Sequence, residues 1–99
     1  MWYVIEGYDG EQVLAQRMAA RGAHLERLKA LLDQGRLLLA GPCPAIDAED
    51  PGPAGFSGSV VIASFGDLAA ARAWAGEDPY VAAGVYQRVD VRPFRKVLP

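Results

Sequence analysis

The chain predicts a ferredoxin-like sandwich of the α+β class: a β-α-β-β-α-β succession folded into one four-stranded antiparallel sheet with both helices on a single face. Three observations carry this. Four short segments are rich in Val, Ile, Tyr, Phe and Trp and are closed by Gly, Pro or Asp, as strands are. Two longer segments between them carry helical periodicity or a high alanine content. Finally, 99 residues that are 52 % hydrophobic and 22 % charged suffice for one core and not for two, so residues 1–99 read as a single domain.

Trp2 to Tyr8 is the first strand, ended by the turn dipeptide Asp9-Gly10. From Glu11 to Gln34 the pattern is helical: Leu14, Met18, Leu25, Leu28, Leu31 and Leu32 share one broad face, and Gly35 stands where a C-terminal cap belongs. Gly22 lies inside this stretch and costs about 1 kcal/mol relative to alanine, so the segment is one helix with a weak point or two joined near Arg21-Gly22. Arg36 to Ala40 forms the second strand, which Gly41-Pro42-Cys43-Pro44 is expected to stop by removing ladder donors. Ala45 to Gly58 reads as a long loop around Asp50-Pro51-Gly52-Pro53. Ser59 to Phe65 is the third strand. Asp67 caps a helix through Leu68–Ala75, and Asp78-Pro79 opens a further short turn or helix that Gly84 ends. Val85 to Val97 is the fourth strand, with Val89 and Val91 alternating against Arg88, Asp90 and Arg92.

Composition narrows the function classes. A domain this small buries only about 60–65 % of its unfolded surface and often relies on a disulfide, a metal or a partner. The lone Cys43 forms no intrachain disulfide, and the lone His24 makes a His-rich metal site impossible within one chain, so no metal is expected. Self-association remains. Helices cover only one sheet face, yet Trp2, Tyr3, Val60, Ile62 and Phe94 come from strands apolar on both faces, so a second copy is expected to pack on the bare face as a homodimer. A net charge of −2 argues against nucleic acid as a partner. Neither a leader nor an apolar run approaching ~20 residues is legible, so the reading is a cytoplasmic protein with no membrane partner.

Any histidine chemistry is that of His24. Taking Leu28 as the centre of the apolar face, His24 lies about 40° away and Arg21 about 20°, so both point toward the sheet. Such a histidine is either a hydrogen-bonded residue at the rim of the core or a general base, since an imidazole with a pKa near ~6.5 takes and returns protons at neutral pH. A base gains from a carboxylate that fixes its tautomer. Asp33 is about 180° around the helix from His24. Asp78 follows the second helix, and its other reading is a helix cap worth about 1 kcal/mol. Cys43, between two prolines with no second histidine, is not read as a nucleophile. Gly52 to Gly58 lacks the lysine of a phosphate loop, and the β-α-β-β-α-β order lacks the basic and aromatic signature of an RNA-recognition domain.

Arg21-Gly22-Ala23-His24-Leu25, then Gly35 to Pro42, Asp50 to Ser59, Asp78-Pro79-Tyr80 through Tyr86, and Pro93-Phe94 together resemble the YciI-like (YCII-related) proteins over essentially the whole chain. The resemblance implies a ferredoxin-like fold dimerised sheet to sheet into an α/β barrel, and a His-Asp pair that falls on His24 and Asp78. Related barrels include muconolactone isomerase-like and dehydrochlorinase-like proteins acting on small ring compounds.

The leading expectation is therefore an enzyme without a cofactor in which His24, oriented by Asp78, moves a proton in an isomerisation or elimination on a small organic acid or ring compound. In it Arg21 holds an anionic group and Ser59 donates a hydrogen bond. A dimeric module that binds a small ligand without catalysis is the alternative. Haem bound through His24 is a third, tested by a Soret band.

Overall fold

Alternation along the strands decides which side of the sheet is covered. In the computed structural model, which describes residues 1–99, the elements are β1 (Trp2–Asp9), α1 (Leu14–Asp33), β2 (Leu37–Pro44), β3 (Phe56–Ser64), α2 (Leu68–Gly76), α3 (Pro79–Ala82) and β4 (Tyr86–Phe94). The strands form one antiparallel sheet in the order β2-β3-β1-β4, the predicted ferredoxin-like topology. Tyr3 and Ile5 of β1 stand beside Ala63 and Val61 of β3, and these four side chains meet Leu28 and Leu31 of α1 and Ala71 and Ala75 of α2. Both helices therefore lie on one face. Each fully buried leucine there contributes about 2 kcal/mol by leaving water.

The opposite face carries Trp2 beside Phe94, Val4 between Ile62 and Arg92, Glu6 between Val60 and Asp90, and Tyr8 beside Arg88, so its apolar residues run along β1 and β3 and its charges gather on β4. No helix packs there. Leu39, which pairs with Ile62 on the same side, is 50 % exposed. None of the helices is long and apolar enough to cross a membrane.

Several boundaries depart from the sequence expectation, each for a physical reason. The prolines do not stop β2, which runs on through Pro42 and Pro44. β2 is an edge strand whose only neighbour is β3, so its outer side needs no donors. β3 begins at Phe56, three residues earlier than expected, because Gly58 allows close approach: a Cβ there would stand 2.0 Å from the Gly7 carbonyl oxygen. The loop thus contracts to residues 45–55 and contains a single 3-10 turn at Gly52–Ala54. α1 starts at Leu14 after a left-handed turn at Gln12 (φ 56°) and continues unbroken through Gly22, whose missing Cβ faces open space. β4 ends at Phe94 and leaves Val97 outside the sheet.

The remaining punctuation is as read. Gly35 closes α1 with φ +70°, and Asp67 caps α2 by accepting a 2.7 Å bond from the Ala70 amide.

Candidate active site

Asp78 lies between α2 and α3 in an extended conformation, and Pro79 at the first position of α3 fixes the direction of the turn. The carboxylate does two things there. Its Oδ1 accepts a 2.9 Å bond from the Tyr80 amide, which caps α3. Both oxygens also lie against Nδ1 of His24, at 3.0 and 2.8 Å. The two residues are only 6 % and 4 % exposed, so this is a buried pair formed across 54 positions of sequence. A carboxylate only accepts, so Nδ1 carries the proton and Nε2 holds the free lone pair. Asp33 is exposed on the far side of α1 and takes no part.

Tyr80 extends this arrangement. Its ring, 1 % exposed, stacks on the His24 imidazole with centroids 4.1 Å apart and planes 15° from parallel. The guanidinium of Arg17 sits 4.6 Å from the centre of the same ring and 5.3 Å from that of Phe56. Arg17 is itself 3 % exposed and is gripped in a fork: Nε and Nη2 donate to Asp9 at 2.8 and 2.7 Å, and Nη2 also donates to Ser59 Oγ at 3.0 Å. Burial works against the charge, but the bonds and charge of Asp9 outweigh it and raise the Arg17 pKa, so the cation is permanent. Behind it, burial pushes the Tyr86 hydroxyl up to about 12, with the bond to Ser59 opposing, so this phenol stays neutral. Its ring occupies the space of a side chain at Gly7, where a Cβ would lie 2.3 Å from it.

These groups surround a cavity of about 590 Å³ between α1, β2, β3 and the Asp50–Gly52 turn, within the range of small-molecule sites. Leu14, Leu25, Leu28 and Phe56 supply apolar wall, and Arg17, His24, Ser59 and Tyr80 supply the polar floor. His24 Nε2 has no partner in the chain and is not among the sealed, unbonded atoms, so it opens to the cavity. Together with the Asp78 contact, this holds the imidazole in one orientation with Nε2 toward the cavity.

The sequence-predicted residues meet here unevenly. His24 and Asp78 come together, and Ser59 lines the cavity but spends its oxygen on Arg17. Arg21, expected to point at the sheet, is instead exposed at the cavity rim, because a long cation on the flank of the apolar face keeps its head in water. Cys43 is half-buried and lies outside the cavity. Arg17, Asp9, Tyr80 and Tyr86 were missed. For Arg17 the signal was available, since it too lies about 20° from Leu28 on the helical wheel. For Asp9 and Tyr86 there was none, because a turn aspartate and a strand tyrosine are unremarkable until the sheet pairs them.

Comparison with known proteins follows the same lines. The YCII-related domain matches residues 1–95. The chain belongs to that family. Protein YciI of Escherichia coli O6:H1 is 60 % identical over 97 residues, spanning 98 % of this chain and 99 % of its own. A Haemophilus influenzae protein of uncharacterised function is 57 % identical over 97 residues, with the same coverage. Among solved structures, 5-chloro-2-hydroxyhydroquinone dehydrochlorinase (TftG) from Burkholderia phenoliruptrix AC1100, in complex with 2,5-dihydroxybenzoquinone, superposes with a TM-score of 0.82 at 21 % identity, covering 96 % of this chain and 94 % of that one. An antibiotic biosynthesis monooxygenase superposes at 0.52 with 16 % identity, covering 99 % and 100 %. At these identities the superpositions establish the fold.

Proposed function

We propose that this YCII-related protein is an enzyme in which His24 and Asp78 transfer a proton within a small ring compound or organic acid, in an isomerisation or an elimination of the dehydrochlorination type. The observation that carries it is the His24 imidazole with Nδ1 held by both oxygens of a buried carboxylate and Nε2 open to a ligand-sized cavity. His24 Nε2 takes a proton from the substrate and becomes imidazolium, stabilised by Asp78, then returns the proton to another substrate atom or to the departing group. Arg21 at the rim attracts an anionic substrate, and Ser59 supports the floor. Similarity of fold to a dehydrochlorinase supports this chemical class.

The apolar residues Trp2, Val4, Val60, Ile62 and Phe94 on the bare sheet face support a homodimer, packed sheet to sheet, as part of the same reading. A stable 10.6 kDa monomer in light scattering at micromolar concentration overturns the dimer. A cytoplasmic location accords with the free Cys43.

The test presents the protein with chlorinated hydroxyhydroquinones and unsaturated lactones in deuterium oxide, and follows chloride release and deuterium uptake by NMR. His24→Ala is expected to lose about 10²–10⁴-fold in turnover. Full turnover by a folded His24→Ala variant overturns the general base. One observation favours a second reading: Asp78 also caps α3, so the pair ties α3 to α1 whatever its chemistry. Ligand binding without chemical change in any bound compound identifies that non-catalytic module.

A further inference from the structure

One end of the cavity is buried, at His24 and Tyr80, and the other is open, at Met18, Ala40 and Pro42. Strand register explains the opening. Three rows of residues cross the helix-facing side of the sheet from β2 to β1: Leu37-Ala63-Tyr3, Ala40-Val61-Ile5 and Pro42-Ser59-Gly7. At β2 the first row starts with a large side chain, and Leu37 packs against the core that Leu28 and Leu31 of α1 complete. The next two rows start with small ones. Ala40 and Pro42 line the cavity yet stay exposed, so the edge of the sheet falls away beneath the N-terminal half of α1. This leaves a lane between helix and sheet edge, with Ala40 and Val61 on the sheet side and Met18 and Leu25, two turns apart, on the helix side.

The chemistry of the lane names its occupant. These four residues offer methyl, methylene and thioether groups, and Met18 is 57 % exposed on a helix flank that faces the opening. Water gains little from such walls, and an apolar group that displaces it is favoured by burial. The cavity, about 590 Å³, also lies in the range that encloses drug-sized ligands, more than a single ring fills. We propose that the ligand is amphipathic: a polar ring at His24 bearing an apolar substituent that lies along Ala40, Val61, Leu25 and Met18 and emerges at the sheet edge. Ala40 sets the specificity, because the length of its side chain decides whether the lane is open. This rests on the proton-transfer reading only for which end of the ligand reacts, and it narrows the substrate class from small ring compounds to rings with an apolar tail.

The experiment measures binding of three probes by calorimetry: 2,5-dihydroxybenzoquinone and its 3-propyl and 3-hexyl derivatives. The readout is the affinity of each alkyl probe relative to the unsubstituted ring. In wild type this ratio is expected to rise by roughly threefold for each of the first methylenes and to exceed about tenfold for the hexyl probe. Ala40→Leu fills the lane from an exposed position on an edge strand, and its hexyl ratio is expected to fall to within about threefold of unity. Met18→Gln, on the solvent side of α1, is expected to lower the ratio about threefold. Circular dichroism and thermal melting establish that each variant is folded, and if Ala40→Leu is not, Met18→Gln decides alone. A wild-type ratio near unity, or no binding of any probe by wild type at millimolar concentration, overturns the proposal. A ratio that the folded variants leave unchanged places the alkyl chain elsewhere on the protein and overturns it too. Turnover enters none of these measurements, so the lane and the role of His24 as a base fail separately.

Discussion

The two halves of α1 face the same sheet and bury opposite chemistries. From Leu25 onward the helix buries Leu28 and Leu31 against Tyr3, Ile5, Val61 and Ala63, an apolar core at whose edge Arg27 lies over the Trp74 ring and donates to the Trp74 carbonyl. Before Leu25 it buries Arg17 and His24, whose placement out of water is tolerable only because Asp9 and Asp78 meet them. The first half needs charged partners from a turn and from another helix; the second is held mainly by apolar area. The difference teaches where the fold is held and where it works: the leucine half supplies net stability, and the polar half accepts desolvation in exchange for a cavity with oriented groups.

The largest effect expected in breaking this contrast comes from Asp9→Ala. It leaves the Arg17 cation buried without its counter-charge and is expected to cost about 3–5 kcal/mol in denaturant unfolding. Leu31→Ala, its counterpart in the apolar half, is expected to cost about 2–4 kcal/mol while leaving ligand affinity within twofold, roughly the range for a buried leucine that partly collapses its cavity. Smaller again is a pH effect specific to the polar half. The folded protein holds the Tyr86 proton up to about 12, whereas the unfolded phenol loses it near 10.0. The native state therefore binds more protons between those values, and stability is complete below pH 10 and falls as pH rises toward 12. Thermal melts from pH 8 to 12 should show a steeper decline in wild type than in Tyr86→Phe. The smallest effect is at the junction of the halves. Gly22 is helical, exposed and faces open space, so Gly22→Ala is expected to stabilise by about 0.5–1 kcal/mol without altering either half, as read by the unfolding midpoint.

Periodicity made the leucine half legible and placed His24 on the sheet-facing side. It misjudged Arg21 and passed over Arg17, because a wheel angle says where a Cβ points and not where a long side chain ends. Local chemistry was equally reliable for the caps at Asp67 and Asp78, since a cap is satisfied within three residues. It failed at Pro42 and Pro44, where tolerance depends on β2 lying at the edge of the sheet, a property of strand order and not of the strand.

What the sequence by itself determined, then, is whatever repeats over short range: the alternation of the strands, the stripe of α1, the turn residues, and the family to which their order belongs. Tertiary structure decided the rest. Asp78 becomes the partner of His24, and Asp9 that of Arg17, only when β1, α1 and the start of α3 are packed against one another. Buried charges are placed by contacts between segments far apart in the chain, and the cost of leaving any one of them unpaired is what makes those contacts specific.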